Sequence, residues 1–393
     1  MHILMTVNAT WNIWNFRRPV LRALLEDGHK VTILAPHDEA ATDVAAMGAR
    51  LLPLEMNVKG LNPLEDMRLL WRLRRIFAAE RPDVILGYTI KNNIFGAMAA
   101  RRYGIPFIPN VTGLGTAFLS GGTLQHVAES LYRRAFAGLD TVFFQNADDR
   151  ALFLDRHLVE HAQARLLPGS GIDLAHFEAK PLPAPDTPPV FLMIARLLRD
   201  KGVLEYVEAA RALRHTHPEA RFHLLGALNS ENRTAIGADT VRGWQDDGLI
   251  HYLGTAPDVR PHIARATCVV LPSYREGAPR TLIEAAAMAR PLITTDVPGC
   301  RSVVEHARTG LLCAVRDGQS LADACRAFLD MPQQDKIAMG QAGRIKMQDE
   351  YDEALVVAAY RAAIDRSAHV RFGATTTAKI SPQTPPSDPP LHG

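Results

Sequence analysis

Short apolar runs alternate along the chain with longer stretches whose apolar positions recur every three to four residues. HILMTV, RRPVLRALLED and GHKVTILA open it in that order. The alternation returns in RPDVILGYT, NNIFGAMAARRYG and IPFIPNVTG, and again in DTVFFQN, ADDRALFLDRH and AQARLLPGSG. Buried runs separated by amphipathic helices predict βαβ units. A parallel sheet follows, with right-handed crossovers and helices on both faces. The first run ends in Asn and reads as a first strand, not as a secretory signal.

The pattern breaks at EAKPLPAPDTPP, residues 178 to 189, which is dense in Pro and has no period. It reads as an extended linker. Alternation then restarts with VFLMIARL, a helix from about Asp200, ARFHLLGA, a helix from about Ser230, GLIHYLG, TCVVLPS, a helix containing TLIEAAAMA, PLITTD and GLLCAV. Two or three helices close the chain. The predicted fold class is α/β, with two doubly wound Rossmann-like parallel-sheet domains facing a central cleft. The expected boundaries are 1–172 for the first domain and 173–189 for the linker. The second domain spans 190–350, and a closing helix over 351–368 is placed to pack back on the first. The tail, 369–393, is rich in Pro, Ser and Thr and is expected to be disordered.

Length agrees with two cores, since 393 residues exceed what one usually serves. A net charge of +2 gives no electrostatic reason to expect a nucleic-acid partner. The four cysteines, Cys268, Cys300, Cys313 and Cys325, form no CxxC pair and read as reduced thiols of a cytoplasmic protein. No run approaches the roughly 20 apolar residues of a membrane span.

Candidate chemistry gathers at predicted strand ends. In SYREGAPRTLIEAAAMARP, Glu276 falls in a loop after a buried strand and Glu284 in what should be the first turn of the next helix. The helix start between them offers unpaired amides and the positive end of a dipole, which suits a phosphate. Two carboxylates are acceptors for sugar or ribose hydroxyls. Taken singly, Glu276 also reads as a solvated loop acid and Glu284 as a dipole partner. In MIARLLRDKG, Arg196 closes a strand and Lys201 begins a helix, so both should face the same cleft. A planar fork and a point charge suit a diphosphate, with a solvated basic turn as the plainer reading.

ARLLRDKG and EGAPRTLIE resemble the paired signatures of the family 4 retaining glycosyltransferases, whose fold is GT-B. The resemblance continues through GSGIDLAHF, HYLGTAPDVRPHIARATCVVLPS and PLITTDVPGCRSVVEHARTGLL. YTIKNNIFGAMAARRYGIPFIPNVTGLGTAF and WNFRRPVLRALLEDGHKV are similar to the subgroup that builds bacterial surface polysaccharides on a lipid carrier.

The resemblance implies roles. Arg196 and Lys201 would hold the donor diphosphate, Glu276 the donor sugar and Glu284 the ribose. Amides of Gly277, Ala278, Pro279, Arg280 and Thr281 mark the stretch that meets sugar and phosphate, although Pro279 itself has no N–H to donate. Gly254 and Thr255 would lie near the base. Thr112, Gly113, Gly115, Lys91 and Asn15 would serve the acceptor or diphosphate side. The chain departs from the family pattern at Ala289 (usually Gly), at Ser302 (commonly Glu) and at Thr112. Many members have His at the last position, and backbone of Thr112 and Gly113 would take over its contact.

Gly113-Leu-Gly115 and Gly169-Ser-Gly171 each lack the third Gly of a dinucleotide fingerprint, having Phe118 and Leu174 there. The first brings backbone close to a diphosphate or acceptor, or is a plain turn. No HExxH and no Asp-x-Asp occurs, so no metal and no cofactor is expected beyond a nucleotide-sugar donor. EDMRLLWRLRRIFAAERP reads as an amphipathic helix with Arg68, Arg72 and Arg75 on one stripe and Trp71, Arg74 and Phe77 nearby. Such a helix can lie on an anionic membrane, or its basic face can simply be solvated.

The expected function is metal-independent, retaining transfer of a hexose or N-acetylhexosamine. The donor would be a UDP-sugar and the acceptor a lipid-linked (polyprenyl-diphosphate) saccharide, at the cytoplasmic face of the membrane. The alternatives are a UDP-sugar 2-epimerase of the same fold and a non-catalytic nucleotide-sugar-binding protein.

Overall fold

The computed structural model describes residues 1–58, 62–114, 122–228, 232 and 234–377, with side chains through 368. The first domain holds seven strands: His2–Thr6 (β1), Lys30–Ala35 (β2), Arg50–Pro53 (β3), Val84–Tyr88 (β4), Phe107–Val111 (β5), Val142–Phe144 (β6) and Ala164–Leu166 (β7). All pair in parallel in the order β3-β2-β1-β4-β5-β6-β7. β4 and β5 are buried along their whole length, as parallel strands covered on both faces should be.

The two-residue period splits the side chains into two cores. Leu4, Ile85, Phe107 and Phe144 pack under the Pro63–Glu80, Ile90–Arg101 and Gly122–Phe136 helices. Ile3, Met5, Ile33, Leu86 and Phe143 pack on the opposite face with Val20, Leu21 and Leu24 of the Arg18–Glu26 helix. Residues from the other end of the chain complete that second core. Val356, Tyr360, Ala363 and Ile364 of the Glu353–Thr377 helix are buried in it, and Asn110 Nδ2 of β5 donates to Tyr360 Oη at 2.9 Å.

The second domain has six strands: Val190–Ile194 (β8), Arg221–Leu225 (β9), His251–Tyr252 (β10), Cys268–Leu271 (β11), Leu292–Thr295 (β12) and Gly310–Cys313 (β13). They are parallel in the order β10-β9-β8-β11-β12-β13 around one continuous core. Strand order reverses between β8 and β11, and in such sheets ligands bind outside the carboxyl ends of the strands at that point.

The linker does not hang free. Arg290, fully buried, donates to the carbonyls of Lys180 and Pro181 in the linker and to those of Ile263, Ala264 and Met288. Burial lowers its pKa to about 10.

Several expected elements move. The helix placed from Asp200 is a 3-10 turn, Arg199–Lys201, then a helix from Val203 to Leu213. Gly202 breaks the two apart with φ of 77°, where a Cβ would collide with the Pro272 carbonyl. Lys201 thus ends a turn instead of beginning a helix. The helix placed from about Ser230 starts at Ala238. Ahead of it the Asn232 side chain accepts from the Thr234 amide, a local turn that competes with helix. The last helix continues to Thr377, into the stretch 369–377 expected to be disordered. The rest of that tail, 378–393, lies outside the described residues.

Candidate functional site

The two neighbours of the second domain's switch point deliver the charged groups. The chain leaving β8 carries Arg196 and the turn ending in Lys201, and the chain leaving β11 carries Ser273 and Glu276. Lys201 Nζ lies 2.5 Å from Glu276 Oε1, and Ser273 Oγ donates to the same oxygen at 2.7 Å. Glu276 is therefore paired, not the free loop acid of the sequence reading. Arg196 is exposed at the strand end, and among the described residues its guanidinium has no hydrogen-bond or ion-pair partner.

Pro279 caps the Arg280–Ala287 helix in extended conformation, and no side chain caps its first amides. Those amides remain available to an anion. The Thr281 hydroxyl donates to the Ile194 carbonyl at the end of β8, fixing the helix start beside the Arg196 turn. Glu284 is the fifth residue of this helix, just past the first turn expected from the sequence. Its partner is a side chain, not the dipole: Arg280 Nε lies 2.5 Å from Glu284 Oε1. Burial pushes the Glu284 carboxyl up, and Arg280 pulls it part of the way back.

The first domain closes the site. Arg280 donates to the Asn15 carbonyl across the cleft, and its guanidinium lies over the Phe16 ring. Arg275 pairs with Asp149, and Asn146 Nδ2 donates to the Gly277 carbonyl at 2.9 Å. A Cβ on Gly277 would collide with the Thr112 carbonyl, so glycine is what allows the two backbones to meet. Gly169 is similarly pressed on Ala278. A cleft of about 340 Å³ remains between the domains. Trp14, Asn15 and Arg18 line one side of it, and Asp258, Arg280 and Glu284 the other.

Other expected residues fall elsewhere. Ala256 to Val259, and not Gly254 and Thr255, line the cleft beside Glu284. Gly254, with φ of 72°, receives the Gly226 amide on its carbonyl. Lys91 binds the Asn57 carbonyl and the Asp66 carboxylate, which ties its helix to the Pro63–Glu80 helix. Gly113 follows β5 with φ of 150°, while Gly115 lies outside the described residues. His157 and His161, four residues apart, fall in a turn and not on a helix. Among the described residues no group of three or more His, Cys, Asp or Glu is placed to hold a metal.

The basic stripe is also rearranged. Phe77 is buried, Arg68 pairs with Glu65, and Arg72 is held by Glu55. Leu64, Met67 and Trp71 form an outer apolar row instead, exposed by 69, 61 and 62%, with Arg75 over the Trp71 ring.

Sequence reasoning missed Ser273, the Arg275–Asp149 pair and Asn146. Only NADD, an Asn cap with Asp three residues on, left a trace of the last two, and it signalled a helix start.

Comparisons with known proteins agree with this geometry. Residues 13–169 match the glycosyl transferase 4-like domain and residues 188–331 match glycosyl transferases group 1. A relative from Campylobacter jejuni is N,N'-diacetylbacillosaminyl-diphospho-undecaprenol alpha-1,3-N-acetylgalactosaminyltransferase. It is 28% identical over 93% of this chain and 99% of its own. UDP-Gal:alpha-D-GlcNAc-diphosphoundecaprenol alpha-1,3-galactosyltransferase from Escherichia coli is 25% identical over 75% of this chain and 78% of its own. Among solved structures, a glycosyltransferase from Rickettsia africae superposes with a TM-score of 0.74 at 16% identity, over 93% of this chain and 98% of its own. That likeness concerns the fold, the GT-B pairing of two Rossmann-like domains.

Proposed function

From a chain that belongs to the group 1 glycosyltransferases, with a 4-like first domain, we propose a specific transfer. A hexose or N-acetylhexosamine moves from a UDP-sugar to a polyprenyl-diphosphate-linked saccharide with retention of configuration. The observation that carries this reading is the convergence of Arg196, Lys201 and Glu276 on the β8–β11 switch point, beside the uncapped start of the Arg280–Ala287 helix. The Campylobacter and Escherichia relatives, whose named acceptors are diphospho-undecaprenol saccharides, support the choice of acceptor.

In this reading Arg196, Lys201 and the helix amides take the donor diphosphate, Glu276 the sugar hydroxyls and Glu284 the ribose. The bond from the anomeric carbon to the diphosphate breaks on the same face that the acceptor hydroxyl attacks, and a diphosphate oxygen receives the acceptor's proton. Preorganised positive charge at the leaving group is the largest contribution to rate. The closed cleft excludes water and protects the donor from hydrolysis. The chemistry needs no metal, because these groups neutralise the diphosphate themselves.

Contact with an anionic membrane belongs to the same proposal. Leu64, Met67 and Trp71 would enter the interface, with Arg74 and Arg75 meeting lipid phosphates. No helix among the described residues is long and apolar enough to cross a membrane, so the contact would be peripheral, on the cytoplasmic side. Flotation with phosphatidylglycerol vesicles at low salt tests it, and protein left at the bottom of the gradient refutes it.

The deciding experiment screens UDP-sugars for UDP release with and without a polyprenyl-diphosphate saccharide. Acceptor-dependent release and an extended lipid-linked product are expected, with the anomeric configuration read by NMR. Epimer formed from UDP-GlcNAc without acceptor would favour the epimerase, and UDP binding without transfer to any acceptor a non-catalytic protein.

A further inference from the structure

The residues on either side of Glu276 are both held by the other domain. Arg275, just before it, pairs with Asp149, and the Gly277 carbonyl, just after it, accepts from Asn146 Nδ2 at 2.9 Å. Both first-domain residues come from one helix start, where Asn146 caps the Ala147–Asp155 helix. Asn146 is 3% exposed and Asp149 1%. They are locked together: Asn146 Oδ1 accepts from the Asp149 amide at 2.7 Å, and Asn146 Nδ2 also donates to Asp149 Oδ2 at 3.0 Å.

We propose that Asn146 and Asp149 are positioning residues for Glu276, a clasp in the acceptor-side domain that sets the donor-sugar loop only when the cleft is closed. The inference rests on the glycosyl transfer proposed above and adds a division of labour to it. The groups assigned to the nucleotide end of the donor, Arg196, Lys201 and Glu284, all belong to the second domain. The sugar end depends on a loop whose backbone is pinned by the first.

The chemistry suits a clasp better than a simple surface contact. The cation that meets the Asp149 carboxylate, Arg275, comes from the facing domain. Burial pushes that carboxyl up and Arg275 draws it down, so parting the domains takes from Asp149 the cation that offsets its burial. Losing that charged pairing is costly, which favours the closed arrangement. The Thr112 carbonyl lies where any Cβ on residue 277 would be, so the fit is tight at the α-carbon as well. Closure therefore fixes residues 275 to 277 at a side chain, a carbonyl and an α-carbon, and the Glu276 carboxylate between them inherits that placement.

The test compares wild type with Asp149→Asn, Asn146→Ala, Arg275→Gln and the Asp149→Asn/Arg275→Gln double variant. Transfer kinetics are read with UDP-sugar and lipid-linked acceptor, UDP affinity by calorimetry, closure by small-angle scattering with and without UDP, and folding by thermal melting. Asp149→Asn is expected to lower kcat about tenfold or more, the scale of a hydrogen bond to a charged group. UDP affinity should stay within about threefold, on the same scale of small effects for a remote site. The double variant should be no worse than the poorer single one, as for two members of one pair, and the closed form should be less populated with UDP bound. Unchanged kcat in Asp149→Asn overturns the proposal. So do additive losses in the double variant, or a fall in melting temperature alone with normal turnover of the folded protein. If wild type transfers no sugar, the functional reading fails instead, and scattering still decides the clasp: equal closure in wild type and variants refutes it.

Discussion

Lys201 and Glu276 hold each other across the gap between the chains leaving β8 and β11, Nζ to Oε1 at 2.5 Å. In the proposed transfer Lys201 would turn to the donor diphosphate and Glu276 to the sugar. A donor entering the site would then exchange this single pair for two contacts of its own, with the Ser273 bond to Glu276 still in place. Lys201→Ala is expected to lower turnover at saturating donor roughly 100-fold or more, on the scale of other preorganised charge-stabilising groups. Steady-state UDP release at saturating UDP-sugar measures it, and full turnover would remove Lys201 from the reaction.

Glu284 is a carboxylate kept in a place that disfavours charge. Its pKa is raised in the fold by burial, more than Arg280 lowers it. A raised carboxyl stabilises the fold when protonated, and that contribution is lost as pH rises through the folded value. Ionised Glu284 is thus a cost to the fold at neutral pH. Glu284→Gln is expected to melt higher than wild type at pH 7, with the difference shrinking toward acid. Its affinity for UDP should fall about tenfold or more, as for loss of a charged hydrogen bond. Melting curves across pH, paired with calorimetry, check both, and a variant that binds UDP as wild type does would exclude the ribose contact.

Gly277 meets the Thr112 carbonyl so closely that even a methyl group has no room. Gly277→Ala is expected to keep the domains apart, leave UDP affinity nearly unchanged and reduce kcat about 100-fold, the penalty of misplacing reacting groups by roughly an ångström. Small-angle scattering with UDP should show the more open particle, and a wild-type profile with wild-type kcat would contradict the geometry.

Arg290 tests the linker. Its side chain serves five carbonyls without a carboxylate in contact. Arg290→Met leaves the Ile263 and Met288 carbonyls with a backbone amide each but takes the guanidinium donor from those of Lys180, Pro181 and Ala264, at a cost of about 1–3 kcal/mol for each buried acceptor left unsatisfied. Urea denaturation should show the loss, with proteolysis in residues 178–189 faster than in wild type. Unaltered stability would mean that the linker is held by other contacts.

The fold was legible because period is local. HILMTV and CVVLPS read as strands from their own residues, and the strand-helix alternation implied the parallel sheets. Arg196, Lys201, Glu276 and Glu284 were legible as charged residues at predicted strand ends and helix starts. What could not be read was who pairs with whom. Glu284 looked like a dipole partner because it falls close to the helix start, and its partner Arg280 lies four residues back on the same face. Asp149 and Arg275 stand 126 residues apart, in different domains, and no local pattern joins them. Gly202 ended the Lys201 turn because of a carbonyl supplied by Pro272, a tertiary contact invisible in RDKG. The outer row Leu64, Met67 and Trp71 was overlooked since the arginines dominate the same stretch.

The Glu353–Thr377 helix finishes the second core of the first domain with Val356, Tyr360, Ala363 and Ile364. During synthesis the strands of that domain leave the ribosome long before this helix does. One face of its sheet must wait, uncovered, while the whole second domain is made. The first domain is therefore the earlier one to be translated and the later one to be completed. An enzyme cut at residue 189 would not yield two working halves. It would yield a second domain carrying a stray apolar helix and a first domain exposing the face that helix covers, which makes the amino-terminal half the aggregation-prone fragment.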